Sequence, residues 1–293
     1  MAGGAVLTAV YDLAVSPPTF DFLGFLVSAE RYRIERGLPS MRVLVAPGPD
    51  SGFRRDNLPP REPERRHQML QSIVLPMARL LPSCVEARML DEQDSISGEV
   101  FPIGWSVRCR AAHYGTDKIV QALQAGCVPL QAKPQKRDKN LIVITVRQSD
   151  AWPTRNSNLP AWLSLAATLK AEGLRPLFIP DGWEVRGFKP YETDAKAALD
   201  LHRRAALYER ARLCLFVNNG PMAMAMFQAK ARSLVFKMCA ADAPSCSPNY
   251  FAGCGLPVGS QIGRPDHRIV WSDDDAGTLI RETFAALDLV ECD

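Results

Sequence analysis

The sequence predicts an α/β protein made of two doubly wound, Rossmann-like domains facing a cleft. Three observations predict it. Short β-favouring apolar runs alternate with segments whose apolar residues recur at helical spacing, once over residues 1–134 and again over 140–293. Between the two series lies Lys133-Pro134-Gln135-Lys136-Arg137-Asp138-Lys139, a charged stretch between apolar runs that reads as an interdomain linker centred on 135–139. Finally, strands of the second series end in polar or turn-forming residues, and open α/β sheets bind ligands beyond the carboxyl ends of their strands.

In the first series a buried strand is expected over 5–14, left by the loop Val15-Ser16-Pro17-Pro18. Thr19 is placed to cap a helix over 20–36, with Phe22, Phe25, Leu26, Ala29 and Tyr32 near one face and Gly37-Leu38-Pro39 ending it. The next strand is 41–46, and strand, helix, strand implies parallel pairing through a right-handed crossover. A Pro-, Gly- and Arg-rich surface loop fills 47–63. A helix over 64–81 follows, then strands near 85–90 and 100–105, a helix over 116–125 stopped by Gly126, and a strand over 128–132.

The second series opens with a core strand at 140–147. It continues with helix 159–172, strand 175–179, helix 195–212, strand 213–217, helix 222–231 and strand 233–238. A short strand at 268–271 and a helix over 276–287 close it.

Composition narrows the function classes. Over 293 residues, 47% hydrophobic and 23% charged side chains are ordinary for a globular protein, and a net charge of +3 is too near balance to point to nucleic acid. The basic run from Arg54 to Arg66 is broken by Asp56, Glu62, Glu64 and prolines, and reads as a solvated loop entering a helix or as a wall facing an anionic substrate. The eight cysteines form no Cys-x-x-Cys and pair with no histidine at zinc-finger spacing, which suits a reducing, cytoplasmic setting without structural metal. No signal peptide or transmembrane segment is expected. Neither Gly-x-Gly-x-x-Gly after the first strand of either series nor Gly-x-Ser-x-Gly is present, which weakens a NAD-dependent or serine-hydrolase role.

The candidate site lies at strand ends. Leu213 to Val217 is an apolar run that stops at Asn218-Asn219-Gly220-Pro221, and the Ala/Met-rich segment from Met222 favours helix. Such a turn, bent with positive φ at Asn or Gly and with Pro221 opening the helix, presents N–H groups that suit a phosphate. Arg147 ends the 140–147 strand and offers a planar fork for diphosphate oxygens, or an ion pair with Asp150 or Asp181. Arg155 supplies a second cation from the following loop. Asp181 is placed to accept from ribose hydroxyls or to serve as a turn residue. Glu209 is a further ribose candidate, and Lys237 a phosphate-neutralising or edge lysine. Ser272-Asp273-Asp274-Asp275 reads as the cap of the last helix rather than a metal site.

The run Ala205-Ala206-Leu207-Tyr208-Glu209-Arg210-Ala211-Arg212-Leu213-Cys214-Leu215-Phe216-Val217-Asn218-Asn219-Gly220-Pro221-Met222 resembles the signature of GT-B glycosyltransferases of the bacterial heptosyltransferase type. There a helix, a strand and an Asp-Ser-Gly-Pro-Met-His turn hold the nucleotide diphosphate. Arg147 within Thr145-Val146-Arg147-Gln148-Ser149-Asp150 is similar to the strand-end arginine of GT-B fucosyltransferases, which contacts the donor phosphates. The resemblance spans roughly residues 140–240. It departs at Asn218-Asn219, where the family has Asp-Ser, and at Ala223, where it has His. Joined to the strand-end residues read above, it gives a donor site of Arg147, Arg155, Asp181, Glu209, Asn218, Asn219, Gly220, Pro221, Met222 and Lys237, and it implies an acidic catalytic residue after the first strand, to which Asp12 corresponds.

The function so implied is metal-independent, cofactor-free transfer of a sugar from a nucleotide-diphosphate sugar to a glycan or other hydroxyl acceptor. Asp12 would act as base and Arg147 would stabilise the leaving diphosphate. A catalytically silent GT-B-like module that binds a glycan or a protein, and a sugar-nucleotide 2-epimerase, are the alternatives.

Overall fold

A computed structural model describes residues 6–55, 62–91, 93–94, 96–106, 114–182 and 188–291. Asp56 of the basic run, and Cys109 and Cys292 among the cysteines, lie outside the described residues. The chain divides into two compact units, Met1–Ala122 with Pro129–Gln131, and Leu123–Val128 with Ala132–Asp293.

The first unit opens with β1 (Val6–Asp12), α1 (Phe22–Glu35) and β2 (Ser40–Ala46). Tyr11 on β1 meets Phe22 of α1 edge to face, their centroids 4.8 Å apart. Gly37, at φ 65, ends the helix, its N–H reaching the Ile34 carbonyl and that of Leu38 reaching Arg33. The expected helix over 64–81 is α2 (Pro63–Met69) and α3 (Leu75–Ala78) joined by a wide π-type turn over Leu70–Val74. Pro76 explains the change, because it has no N–H to give the Ser72 carbonyl and an inserted residue absorbs the mismatch. β3 (Cys84–Met89), β4 (Val100–Phe101) and α4 (Thr116–Gln124) follow. The sheet is parallel in the order β3-β2-β1-β4. No strand forms over 128–132, where Pro129 breaks the ladder and the Gln131 N–H instead reaches the Leu80 carbonyl at 2.8 Å.

The second unit begins with β5 (Asp138–Val146), so the strand starts inside the charged stretch. Asp138 is held there by Arg175 at 2.9 Å and Arg210 at 3.2 Å. Then come α5 (Leu159–Ala171), β6 (Arg175–Pro180), the two-residue edge strand β7 (Glu192–Thr193), α6 (Leu201–Arg210) and β8 (Ala211–Val217). The expected helix over 195–212 is interrupted because Asp200 caps α6, its Oδ1 accepting the Arg203 N–H at 3.0 Å. α7 (Gly220–Met226), β9 (Ser233–Phe236), the short α8 (Pro248–Gly253), β10 (His267–Ile269) and α9 (Ala276–Glu291) complete the unit.

Its sheet runs β10-β9-β8-β5-β6-β7, with every strand parallel. Counted from β5 this is the doubly wound order 3-2-1-4-5-6. The central strands are covered on both faces, which is why Leu141 to Val146 read as an unbroken apolar run around Thr145. Ile142, Ile144 and Val146 pack with Trp162, Leu165 and Leu169 of α5 and with Leu215, Val217 and Phe236 in one core. Each such side chain contributes about 1.5–3 kcal/mol by burial, and together they fix where β5 and β8 end.

Candidate functional site

In this order the chain leaves β5 toward one side and enters β8 on the other, so the carboxyl ends of these neighbours border the crevice where doubly wound sheets take their ligands. Arg147 leaves β5 there and is only 7% exposed. Its guanidinium turns into its own loop: Nη1 donates to Asn156 Oδ1 at 2.6 Å and to the Trp152 carbonyl at 3.2 Å, and Nη2 donates to the Ala151 carbonyl at 2.6 Å. The backbone closes the same loop, with Arg147 N–H donating to Ser157 Oγ and Ser157 N–H to the Arg147 carbonyl, both at 2.9 Å. Burial lowers the Arg147 pKa, the nearby Arg155 lowers it further, and Asp181 opposes both.

That loop delivers Arg155 to β8. Arg155 Nη2 donates to the Asn218 carbonyl at 3.2 Å, while its buried Nε has no hydrogen-bond partner among the described residues. Asn219 is 3% exposed and caps α7, with Oδ1 accepting the Met222 N–H at 2.9 Å and Nδ2 left buried without a partner. Gln148 Oε1 is likewise buried without a partner. Two donors and one acceptor are thus left unsatisfied around the ends of β5 and β8, where most buried polar atoms would be paired.

The turn itself is built differently from the expected bend. Asn219 is extended, at φ −146 and ψ 170, and neither Asn218 nor Gly220 has positive φ, so β8 passes straight through its cap into a seven-residue helix. Pro221 has no N–H and that of Met222 is taken by the cap, so neither of these two residues offers an amide to an anion here. Asn218 Nδ2 ties the corner to the loop after β9 through the Met238 carbonyl at 2.8 Å and Cys246 Sγ at 3.3 Å.

Asp181 follows β6, the neighbour of β5, and its N–H donates to the Val146 carbonyl at 2.9 Å. Burial raises its carboxyl pKa, opposed by Arg204, Arg147 and Arg155. Arg204 is itself buried and braces the strand end, with Nε donating to the Ala197 carbonyl at 2.8 Å and Nη2 to that of Pro180 at 2.7 Å.

This architecture has solved counterparts. A glycosyl transferase family 9 structure from Veillonella parvula DSM 2008 aligns over 99% of this chain and 99% of its own, with TM-score 0.53 and 8% identity. The dodecameric iron-containing heptosyltransferase TibC of enterotoxigenic E. coli, in complex with ADP-D-beta-D-heptose, aligns over 98% of this chain and 75% of its own, with TM-score 0.50 and 15% identity. The fold is that of GT-B glycosyltransferases of the heptosyltransferase type. No family model and no curated protein sequence matches the chain.

On this GT-B frame the structure does not bring all the expected residues together. Glu209 sits at the end of α6, immediately before β8, and so at the amino end of that strand. Seven residues of strand, about 20 Å, separate it from Asn218. There Glu209 Oε1 accepts from Gln228 Nε2 at 3.3 Å and from the Ala132 N–H at 3.4 Å. Lys237 is close to the loop but already neutralised: Nζ lies 3.2 Å from Asp274 Oδ1 and donates to the Asn156 carbonyl at 2.9 Å. Asp274 is the buried member of the acidic run, its Oδ2 accepting from Trp162 Nε1 at 2.8 Å and the Asn158 N–H at 2.7 Å. Only Asp275 caps α9, through the Thr278 N–H at 2.9 Å.

In the first unit, Asp12 ends β1 opposite Ala46 of β2 and is 3% exposed. Its Oδ1 accepts the Ala14 N–H at 2.9 Å and its Oδ2 accepts from Trp105 Nε1 at 3.0 Å. Among the described residues no group of three or more His, Cys, Asp and Glu is arranged to hold a metal ion. No helix among them is long and apolar enough to cross a membrane.

Gln148, Arg204 and Asp274 were not among the expected site residues. Gln148 had a signal, since it directly follows the strand-end arginine. Arg204 and Asp274 had none, because burying a charge there depends on partners distant in sequence.

Proposed function

We propose that the chain is a glycosyltransferase whose second unit binds a nucleoside-diphosphate sugar beyond the carboxyl ends of β5 and β8. The observation that carries the reading is the pair of buried, unpartnered donors there, Arg155 Nε and Asn219 Nδ2, at the strand reversal of a 3-2-1-4-5-6 sheet. The fold likeness to heptosyltransferase structures, and the ADP-heptose in one of them, support the ligand class.

In this proposal an acceptor hydroxyl attacks the anomeric carbon and the bond from that carbon to the diphosphate oxygen breaks, leaving the electron pair on the diphosphate. Arg155 and Asn219 donate to the oxygens on which charge grows. Donors fixed beforehand stabilise that charge more in the transition state than in the ground state. Arg147 acts mainly by shaping the loop that presents Arg155, and Asp181 accepts from the ribose hydroxyls. With the leaving charge met by guanidinium and amide groups, the proposal assigns no step to a metal. Asp12 is the candidate base for the acceptor proton in the first unit.

A catalytically silent module is the second reading. It is favoured by the Asp12 carboxylate, whose two oxygens already accept hydrogen bonds, and by Ala223 in place of the family's histidine. Thermal unfolding in the presence of ADP, GDP, UDP and their hexose conjugates tests the shared premise. At least one should raise the melting temperature saturably. No stabilisation by any of them removes the donor site and with it the proposal.

A further inference from the structure

We propose that Lys237 and Asp274 are positioning residues of the donor site, an ion pair that fixes Arg155 in place from outside the loop that carries it. The inference rests on the donor-site reading above and deepens it, moving a strand-end lysine from phosphate contact to support. Arg155 lies between β5 and α5 and reaches the β8 corner through the Asn218 carbonyl at 3.2 Å. The residues just after it are tied to the pair at two points. Lys237 Nζ donates to the Asn156 carbonyl at 2.9 Å, and Asp274 Oδ2 accepts the Asn158 N–H at 2.7 Å. The pair itself closes at 3.2 Å between Nζ and Asp274 Oδ1.

Neither tie comes from a neighbour in sequence. Lys237 directly follows β9, and Asp274 stands between β10 and α9, so two remote segments converge on the stretch that follows Arg155. Asp274 is buried and also accepts from Trp162 Nε1 of α5 at 2.8 Å, which roots the pair in the core and leaves the loop as the part being held. Asn156 carries the restraint inward: its Oδ1 accepts from Arg147 Nη1 at 2.6 Å and from the Ser149 N–H at 3.0 Å. Both partners of this contact also hold disfavoured backbone. Trp152 in the loop and Lys237 itself have φ 58 and 49, a region that residues other than glycine occupy where their surroundings enforce it, and which recurs at ligand clamps. A guanidinium fixed beforehand meets a diphosphate without first having to be ordered, and its affinity rises accordingly. The charge of Lys237 is balanced by Asp274, so it serves the anion through Arg155.

The double substitution Lys237→Met/Asp274→Asn, alone and combined with Arg155→Gln, tests this by calorimetric titration with whichever of ADP, GDP and UDP stabilises the wild type. It leaves the net charge unchanged, and the introduced amide oxygen can still accept from Asn158 and Trp162, so the Asn156 tie is what is lost. The melting temperature should stay within about 4 °C of wild type. Affinity should fall about fivefold, and no further than in Arg155→Gln. In the Arg155→Gln background the same two substitutions should change affinity by less than about twofold, because a support has no effect once the group it supports is gone. Hydrogen exchange in the absence of nucleotide should quicken at the Ser149 amide, which depends on Asn156. A further fivefold loss on top of Arg155→Gln would make Lys237 an independent phosphate contact and overturn the inference. So would wild-type affinity in the double variant, unchanged exchange at Ser149, or melting far below wild type, which would place the pair in the general core. Absence of binding by wild type to all three nucleotides would fail the donor-site reading itself, and the exchange result would then decide the brace alone.

Discussion

Arg147→Ala separates two ways in which a strand-end arginine can serve a diphosphate. If the guanidinium grips phosphate directly, its loss weakens binding and leaves the loop intact. The structure favours the other route, because three of its N–H···O contacts go to Ala151, Trp152 and Asn156. Charge-assisted bonds of this kind contribute about 1–2 kcal/mol each, and water can reach the half-buried loop and recover about half, leaving a local loss of about 2 kcal/mol. Opening of the loop should become roughly 30-fold more frequent. Hydrogen exchange reads this directly at the amides of Ser149, bonded to Asn156 Oδ1 at 3.0 Å, and Ser157, bonded to the Arg147 carbonyl at 2.9 Å. Both should exchange faster, while the amides of Leu141 to Val146 within β5 keep their protection. Nucleoside-diphosphate binding should weaken with them, since Arg155 rides on the same loop. Unchanged exchange at Ser149 and Ser157 together with weakened binding would refute the scaffolding role and restore direct phosphate contact.

Three further perturbations have defined outcomes. Lys237→Met leaves the buried carboxylate of Asp274 without its cation and should cost about 3 kcal/mol in urea unfolding, much of it recovered in Lys237→Met/Asp274→Asn. Asp181→Asn should raise the melting temperature at pH 7 while weakening nucleotide binding: a carboxyl whose pKa is raised on folding opposes stability once the pH exceeds its ordinary range, and the amide removes that opposition. His267, whose Nδ1 lies 2.8 Å from Ser233 Oγ, has its pKa pushed down by burial, then by Arg264, to about 3. A base with a depressed folded pKa stabilises above its unfolded pKa and loses that contribution as pH falls, so stability should decline between about pH 6.5 and 4.5 at up to roughly 1.4 kcal/mol per unit. His267→Asn should flatten this slope, and an equal slope in both proteins would discount the burial argument.

The parallel sheets were legible because their signal is local: unbroken apolar runs such as Leu141 to Thr145, each followed by a helix-period segment. Irregularities that depend on one missing N–H or one capping side chain were harder to read. Pro76 and Asp200 each divide what reads as a single helix, and the edge strand β7 has only two residues. Arg155, Asp181 and Asn219 could be placed near strand ends because the ends of strands can be located in the sequence. Glu209 was misplaced because nearness in sequence to β8 put it at the wrong end of the strand. Lys237 looked like a free cation until the fold supplied Asp274, whose acidic neighbours in Ser272-Asp273-Asp274-Asp275 gave no hint that one of them is buried and paired while the next caps α9.

The central claim is that a diphosphate lies against Arg155 and Asn219 beyond β5 and β8. Isothermal titration of a nucleoside diphosphate that stabilises the wild type into Arg155→Gln and Asn219→Leu, beside the exposed-site control Lys170→Gln, tests it most directly. The account predicts one site per chain, affinity about tenfold or more weaker in both variants, and the control unchanged. Wild-type affinity in both variants would contradict it.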